Sequence, residues 1–83
     1  MTSEQIDKFL TPEILATKQV KVSFKSRNMV KALFINERDY NDLKVKNFWR
    51  LVTEANIEGW KKTKDLNLSR LFHGGEFTKL AAD

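Results

Sequence analysis

Residues 18–36 read KQVKVSFKSRNMVKALFIN. Val20, Val22 and Phe24 alternate with Lys21, Ser23 and Lys25, the period-two pattern of a strand with one buried face. Ser26-Arg27-Asn28 supplies turn residues. A second strand follows from about Met29 to Ile35. Val30, Ala32 and Phe34 share one face of it, and Met29, Lys31, Leu33 and Ile35 share the other. Both faces are substantially apolar, so this strand is either the more buried one or meets a partner chain on its second face. A lone hairpin is not stable in water, so helices must cover it.

The same stretch carries Lys18, Lys21, Lys25, Arg27 and Lys31 and no acid. The whole chain has a net charge of +4. A second basic group, Lys44, Lys46 and Arg50, follows an acidic segment holding Glu37, Asp39 and Asp42. Clustering of this kind bears more on polyanion binding than total charge does. The candidate nucleic-acid-binding residues are therefore Lys21, Lys25, Arg27, Lys31, Lys46 and Arg50, with phosphates as their targets. Trp60, flanked by Lys61, Lys62 and Lys64, is the candidate for stacking on a base; packing over a small core is the competing role.

Upstream of the hairpin, residues 1–17 form an arm. Thr2 and Gln5 fit a capping box ahead of Ile6, Phe9 and Leu10, and Thr11-Pro12 gives a second helix start. Downstream, Asn36 or Asp39 caps a helix of about five turns. Tyr40, Leu43, Val45, Phe48, Leu51, Val52 and Ala55 fall on one stripe of it at 100° per residue, which predicts burial of Phe48, Leu51 and Val52. Ile57 and Trp60 leave that stripe near Asn56 and Gly59, where the helix ends or kinks. Asp65 caps a last short helix bearing Leu68, Leu71 and Phe72, which Gly74-Gly75 terminates. Residues 74–83 are a tail that Phe77 and Leu80 anchor. The expected fold is α+β: a β-hairpin packed on one long amphipathic helix, with a short N-terminal helical arm and a short C-terminal helix, in one domain spanning residues 1–83.

Catalytic chemistry finds little material. The chain has 83 residues, no Cys and one His, His73. No Ser/His/Asp or Cys/His set can be assembled, and His73 with Glu76 is a poor metal pair. Its three glycines exclude the phosphate-binding loops. Gly74-Gly75-Glu76-Phe77 resembles the GG(D/E)EF signature of diguanylate cyclases but is one acid short, and helix termination accounts for its glycines. The expectation is a cytoplasmic, non-enzymatic binding module without cofactor, metal, membrane or small-molecule partner, holding nucleic acid through phosphates. The alternative is a protein-interaction or homodimeric accessory protein, pairing through Leu33 and Ile35. A subunit or regulator of a larger enzyme is a third, weaker reading.

Overall fold

The computed structural model describes residues 1–83, and all of them contribute to one body with a radius of gyration of 11.6 Å. A single folded domain of this length is expected at about 12 Å. Three helices, α1 (Ser3–Phe9), α2 (Tyr40–Val45) and α3 (Glu54–Thr63), surround five strands: β1 (Gln19–Phe24), β2 (Val30–Phe34), β3 (Phe48–Thr53), β4 (Arg70–His73) and β5 (Phe77–Ala82). All pairings are antiparallel and the strand order is β4-β3-β2-β1-β5. No helix is long and apolar enough to cross a membrane.

The hairpin forms as its alternation predicts, with Val20 opposite Ala32 and Lys21 opposite Lys31. The arm starts with the expected capping box: the Gln5 N–H donates to Thr2 Oγ1 at 3.2 Å and the Thr2 N–H to Gln5 Oε1 at 2.9 Å. Seven residues are too few for a stable isolated helix. Burial of Ile6 and Leu10 against the sheet holds it in place. Thr11-Pro12 starts only turns, in which the Ile14 and Leu15 N–H groups both reach Thr11 O.

The long helix does not form. Its span divides into α2, β3 and the first half of α3. Asn47, in the left-handed region at φ 62°, separates α2 from β3. Phe48-Trp49-Arg50-Leu51-Val52-Thr53 is rich in aromatic and β-branched residues and runs as a strand. Trp49 and Leu51 face one core, while Val52 faces a second. Leu51 and Val52 are buried as expected, but Phe48 lies on the outside at 36% exposure, which corrects its expected burial, and Val45 of the same stripe is exposed. α3 runs through Gly59 and buries Ile57 and Trp60, the two residues that had left the helical stripe. A Cβ at Gly59 would stand 3.1 Å from Leu68 Cδ1, so the absent side chain lets Leu68 pack there.

The expected C-terminal helix is a 3-10 turn, Leu66–Leu68, capped by Asp65 and followed by β4. The expected tail is β5. These last two strands are the two edges of the sheet, yet only the 3-10 turn Gly74–Glu76 joins them. In a flat sheet the edges would lie about 19 Å apart, four strand spacings. The connection from His73 to Phe77 reaches about 14 Å at full extension and less in a 3-10 turn. The sheet is therefore curled into a half-closed barrel. Phe24 of β1 touches Phe72 of β4, with ring centroids 5.5 Å apart.

Two cores follow from the curl. The inner one holds Ile6, Leu10, Val20, Val22, Ala32, Phe34, Trp49, Leu51, Phe77 and Leu80. Edge-on aromatic contacts run through it from Tyr40 to Trp49 to Phe34 to Phe77. The outer one joins Leu33, Ile35 and Val52 of the sheet side to Ile57 and Trp60 of α3. A polar latch closes the barrel. The Gly74 N–H donates to Asn47 O at 2.7 Å, the Trp49 indole N–H to Asn47 Oδ1 at 2.8 Å, and Asn47 Nδ2 to Met1 O at 3.0 Å.

Candidate nucleic-acid interface

α3 lies over β2 and β3, so it covers only part of the outer face. On the remaining part, strand alternation sends the odd-numbered side chains of β1 outward. Lys21 and Lys31 are direct register partners there. Ser23 faces Lys79 across the β1–β5 pair, and Ala81 faces Lys21. Three lysines on three adjacent strands thus converge, Lys79 being one diagonal step, about 7–8 Å, from Lys21. The acid among them is Asp83, whose Oδ1 stands 3.5 Å from Lys31 Nζ and 4.0 Å from Lys21 Nζ. Its backbone N–H donates to Gln19 O, which extends the β5 pairing by one residue.

The other sequence candidates separate from this group. Lys25 and Arg27 lie in the exposed turn between β1 and β2. The Arg27 guanidinium sits over the Phe24 ring at 5.2 Å and the Phe72 ring at 5.7 Å. Lys46 caps the C-terminus of α2. Arg50 belongs to the outer face of β3, and its charge is engaged: Nη2 donates to Asp39 Oδ2 at 2.6 Å and Nη1 contacts Ser69 Oγ. Arg50 Nε and Asp39 Oδ1 are buried without a partner. A cavity of about 420 Å³ opens beside this pair, lined by Glu37, Arg38, Asp39 and Leu66.

Trp60 is 4% exposed, inside the outer core, with Lys64 Nζ over its ring at 5.4 Å. It offers no face to a base, which corrects the stacking expectation. Leu33 and Ile35 are 2% and 3% exposed, covered by Ile57 and Trp60 of the same chain. The uncovered face that argued for a second copy on these residues does not exist. His73 ends β4 rather than a helix; its Nδ1 accepts the Gly75 N–H at 2.9 Å, and its ring stands edge-on to Phe48. The structure contains no group of three or more His, Cys, Asp or Glu side chains arranged to hold a metal ion. Tyr40, far from the Lys21–Lys31 pair but with Lys44 Nζ over its ring at 5.6 Å, is held above the ordinary phenol value of 10.0 by burial first and then by the Asp7 carboxylate.

Lys79 and Asp83 were not legible in the sequence. A register shift explains this. Phe77 pairs with Phe24 and Leu80 with Val22, so two β5 residues stand opposite Ser23 alone. The bulge gives the inward residues a spacing of three and hides the strand alternation. No protein-family model, curated protein or solved structure matches this chain.

Proposed function

We propose that this chain is a non-enzymatic binding module that seats a nucleic-acid backbone on the open part of its outer sheet face. Lys21, Lys31 and Lys79 contact phosphates. The observation that carries the reading is the convergence of these lysines where α3 leaves the sheet uncovered. Like charges directly opposite on a sheet work against folding. Lys21 opposite Lys31 is such a pair, so a bound anion is what makes the arrangement favourable. Asp83 plays that part within the chain. Each of its lysine contacts is solvent-exposed and individually weak, so a phosphate can take its place.

Three phosphate contacts on a single strand predict a slope of about −2 in log affinity against log salt. The double variant Lys21→Gln with Lys31→Gln should lose most retention of a single-stranded oligonucleotide and flatten that slope, measured by fluorescence anisotropy across a salt series. Its melting temperature should stay near wild type, because exposed charges contribute little to folding. Full retention by the folded double variant sinks the proposal. Asp83→Asn should act in the opposite sense and tighten binding about two- to fivefold, since it removes the competing carboxylate without unfolding the strand end. Unchanged affinity would show that Asp83 does not compete.

The protein-interaction alternative now finds support at β4. Leu71 and Phe48 are 49% and 36% exposed on the outer face beside that free sheet edge. Its signature is opposite: apolar association does not weaken with salt.

A further inference from the structure

The rim where the barrel closes holds a cavity of about 220 Å³ lined by Phe24, Ser26, Arg27, Phe72 and Glu76. The Phe24 and Phe72 rings are tilted by 51° to each other, and both residues are only half-buried. Arg27 is exposed, yet its guanidinium rests on both rings. Glu76 comes from the 3-10 turn between β4 and β5, and its carbonyl accepts the Lys25 N–H at 3.0 Å, which fixes that turn against the β1–β2 loop. The Glu76 side chain is exposed and makes no ion pair with Arg27 or Lys25. Aromatic faces, a positioned planar cation and an acceptor-only carboxylate therefore surround one open space.

We infer that this cavity takes a single unstacked guanine of the nucleic acid whose backbone lies on the lysine face; the inference rests on that reading of the face. Single-stranded bases are recognised by stacking on aromatic side chains and guanidinium planes and by hydrogen bonds to their Watson–Crick edges. The outer plane of the Arg27 guanidinium, backed by the Phe24 and Phe72 rings, supplies the stacking surface. A carboxylate accepts hydrogen bonds and donates none. Guanine presents two adjacent donors on its Watson–Crick edge, the ring N1–H and the exocyclic amine. Adenine and cytosine present an amine beside an acceptor, and uracil a single ring N–H. Glu76 therefore favours guanine. Phe24 stands three residues along β1 from Lys21, about 10 Å, and on the opposite face, at the end of the strand, so a nucleic-acid strand reaches both sites by passing round that rim.

The test is anisotropy with short labelled oligouridylates that carry one central guanosine, inosine or adenosine. Inosine keeps the ring N–H and lacks the amine. Wild type should bind the guanosine oligomer about tenfold more tightly than the adenosine oligomer, with inosine between them. Glu76→Gln should reduce the guanosine preference to twofold or less while leaving affinity for the adenosine oligomer and the salt slope unchanged. Its melting curve should match wild type, because the exposed carboxylate makes no ion pair within the chain. Equal affinity for the three oligomers overturns the inference, and so does a guanosine preference that survives Glu76→Gln. Binding that needs the lysines but ignores the base leaves the phosphate reading standing and removes the guanine site alone. Absence of binding to every oligomer at low salt removes both.

Discussion

Trp49→Ala is expected to lower the stability of the chain by about 3–5 kcal/mol, and Phe48→Ala by only about 1 kcal/mol, in urea unfolding followed by circular dichroism. Trp49 is 2% exposed, stands edge-on to Phe34 and Tyr40, and gives its indole N–H to Asn47. Truncation opens a large cavity in the inner core and leaves the Asn47 side-chain Oδ1 without its donor. Phe48, one residue earlier, points outward, where the His73 ring is its aromatic neighbour. A chain of this size has a total stability of roughly 5–10 kcal/mol, so the first variant approaches complete unfolding. The order of the two effects separates a strand from a helix here. On the helical stripe Phe48 is central and Trp49 marginal, so a larger loss at Phe48 would mean that residues 48–53 do not form β3.

Why those residues read as a helix follows from the two cores. Leu51 and Val52 are both buried, on opposite sides of one strand. Period-two alternation is lost wherever a strand is covered on both faces, and neighbouring apolar residues then fit a wide helical stripe equally well. Leu33 and Phe34 pose the same problem one strand away. There the apolar character of both faces was visible, but the cover came from α3 rather than from a partner. The first hairpin was legible because β1 is covered on one face only: Val20 and Val22 turn inward, and Lys21 and Ser23 do not. β4 and β5 left weaker signals. Four residues, of which only Phe72 packs against the inner core, make too short a pattern, and the bulge opposite Ser23 breaks the alternation of β5. Half of the candidate face, Lys21 and Lys31, was therefore readable from period and charge. Lys79 and Asp83 depend on a strand that pairs with residues more than fifty positions earlier in the chain, and no local pattern encodes that pairing.

Gly74→Ala is expected to lower stability by about 3 kcal/mol, a drop of roughly 10–20 °C in melting temperature for a domain of this size. Gly74 has ordinary backbone geometry, so the cause is space and not strain. A Cβ at this position would lie 2.1 Å from Asn47 Oδ1 and 2.6 Å from Ile6 Cδ1. Neither atom can retreat cheaply. Ile6 is 0% exposed within the inner core. The Asn47 amide is held by the Trp49 indole and by Met1 O, so turning it away leaves a buried indole N–H unpaired. Overpacking and the lost hydrogen bonds act together at the point where β4 turns into β5. Gly75 is the control. Its added Cβ would meet only the ring of His73, at 2.8 Å from Nδ1, and that exposed side chain can rotate, so Gly75→Ala should cost less than about 1 kcal/mol. Asn47→Gly supplies the second half of a cycle, since glycine keeps the positive φ and removes the amide. The double variant Asn47→Gly with Gly74→Ala should lose less than the sum of its single variants, by about 1 kcal/mol, because the two changes meet at one contact. Additive losses would place the cost of the alanine elsewhere and remove the latch as the element that holds the barrel shut.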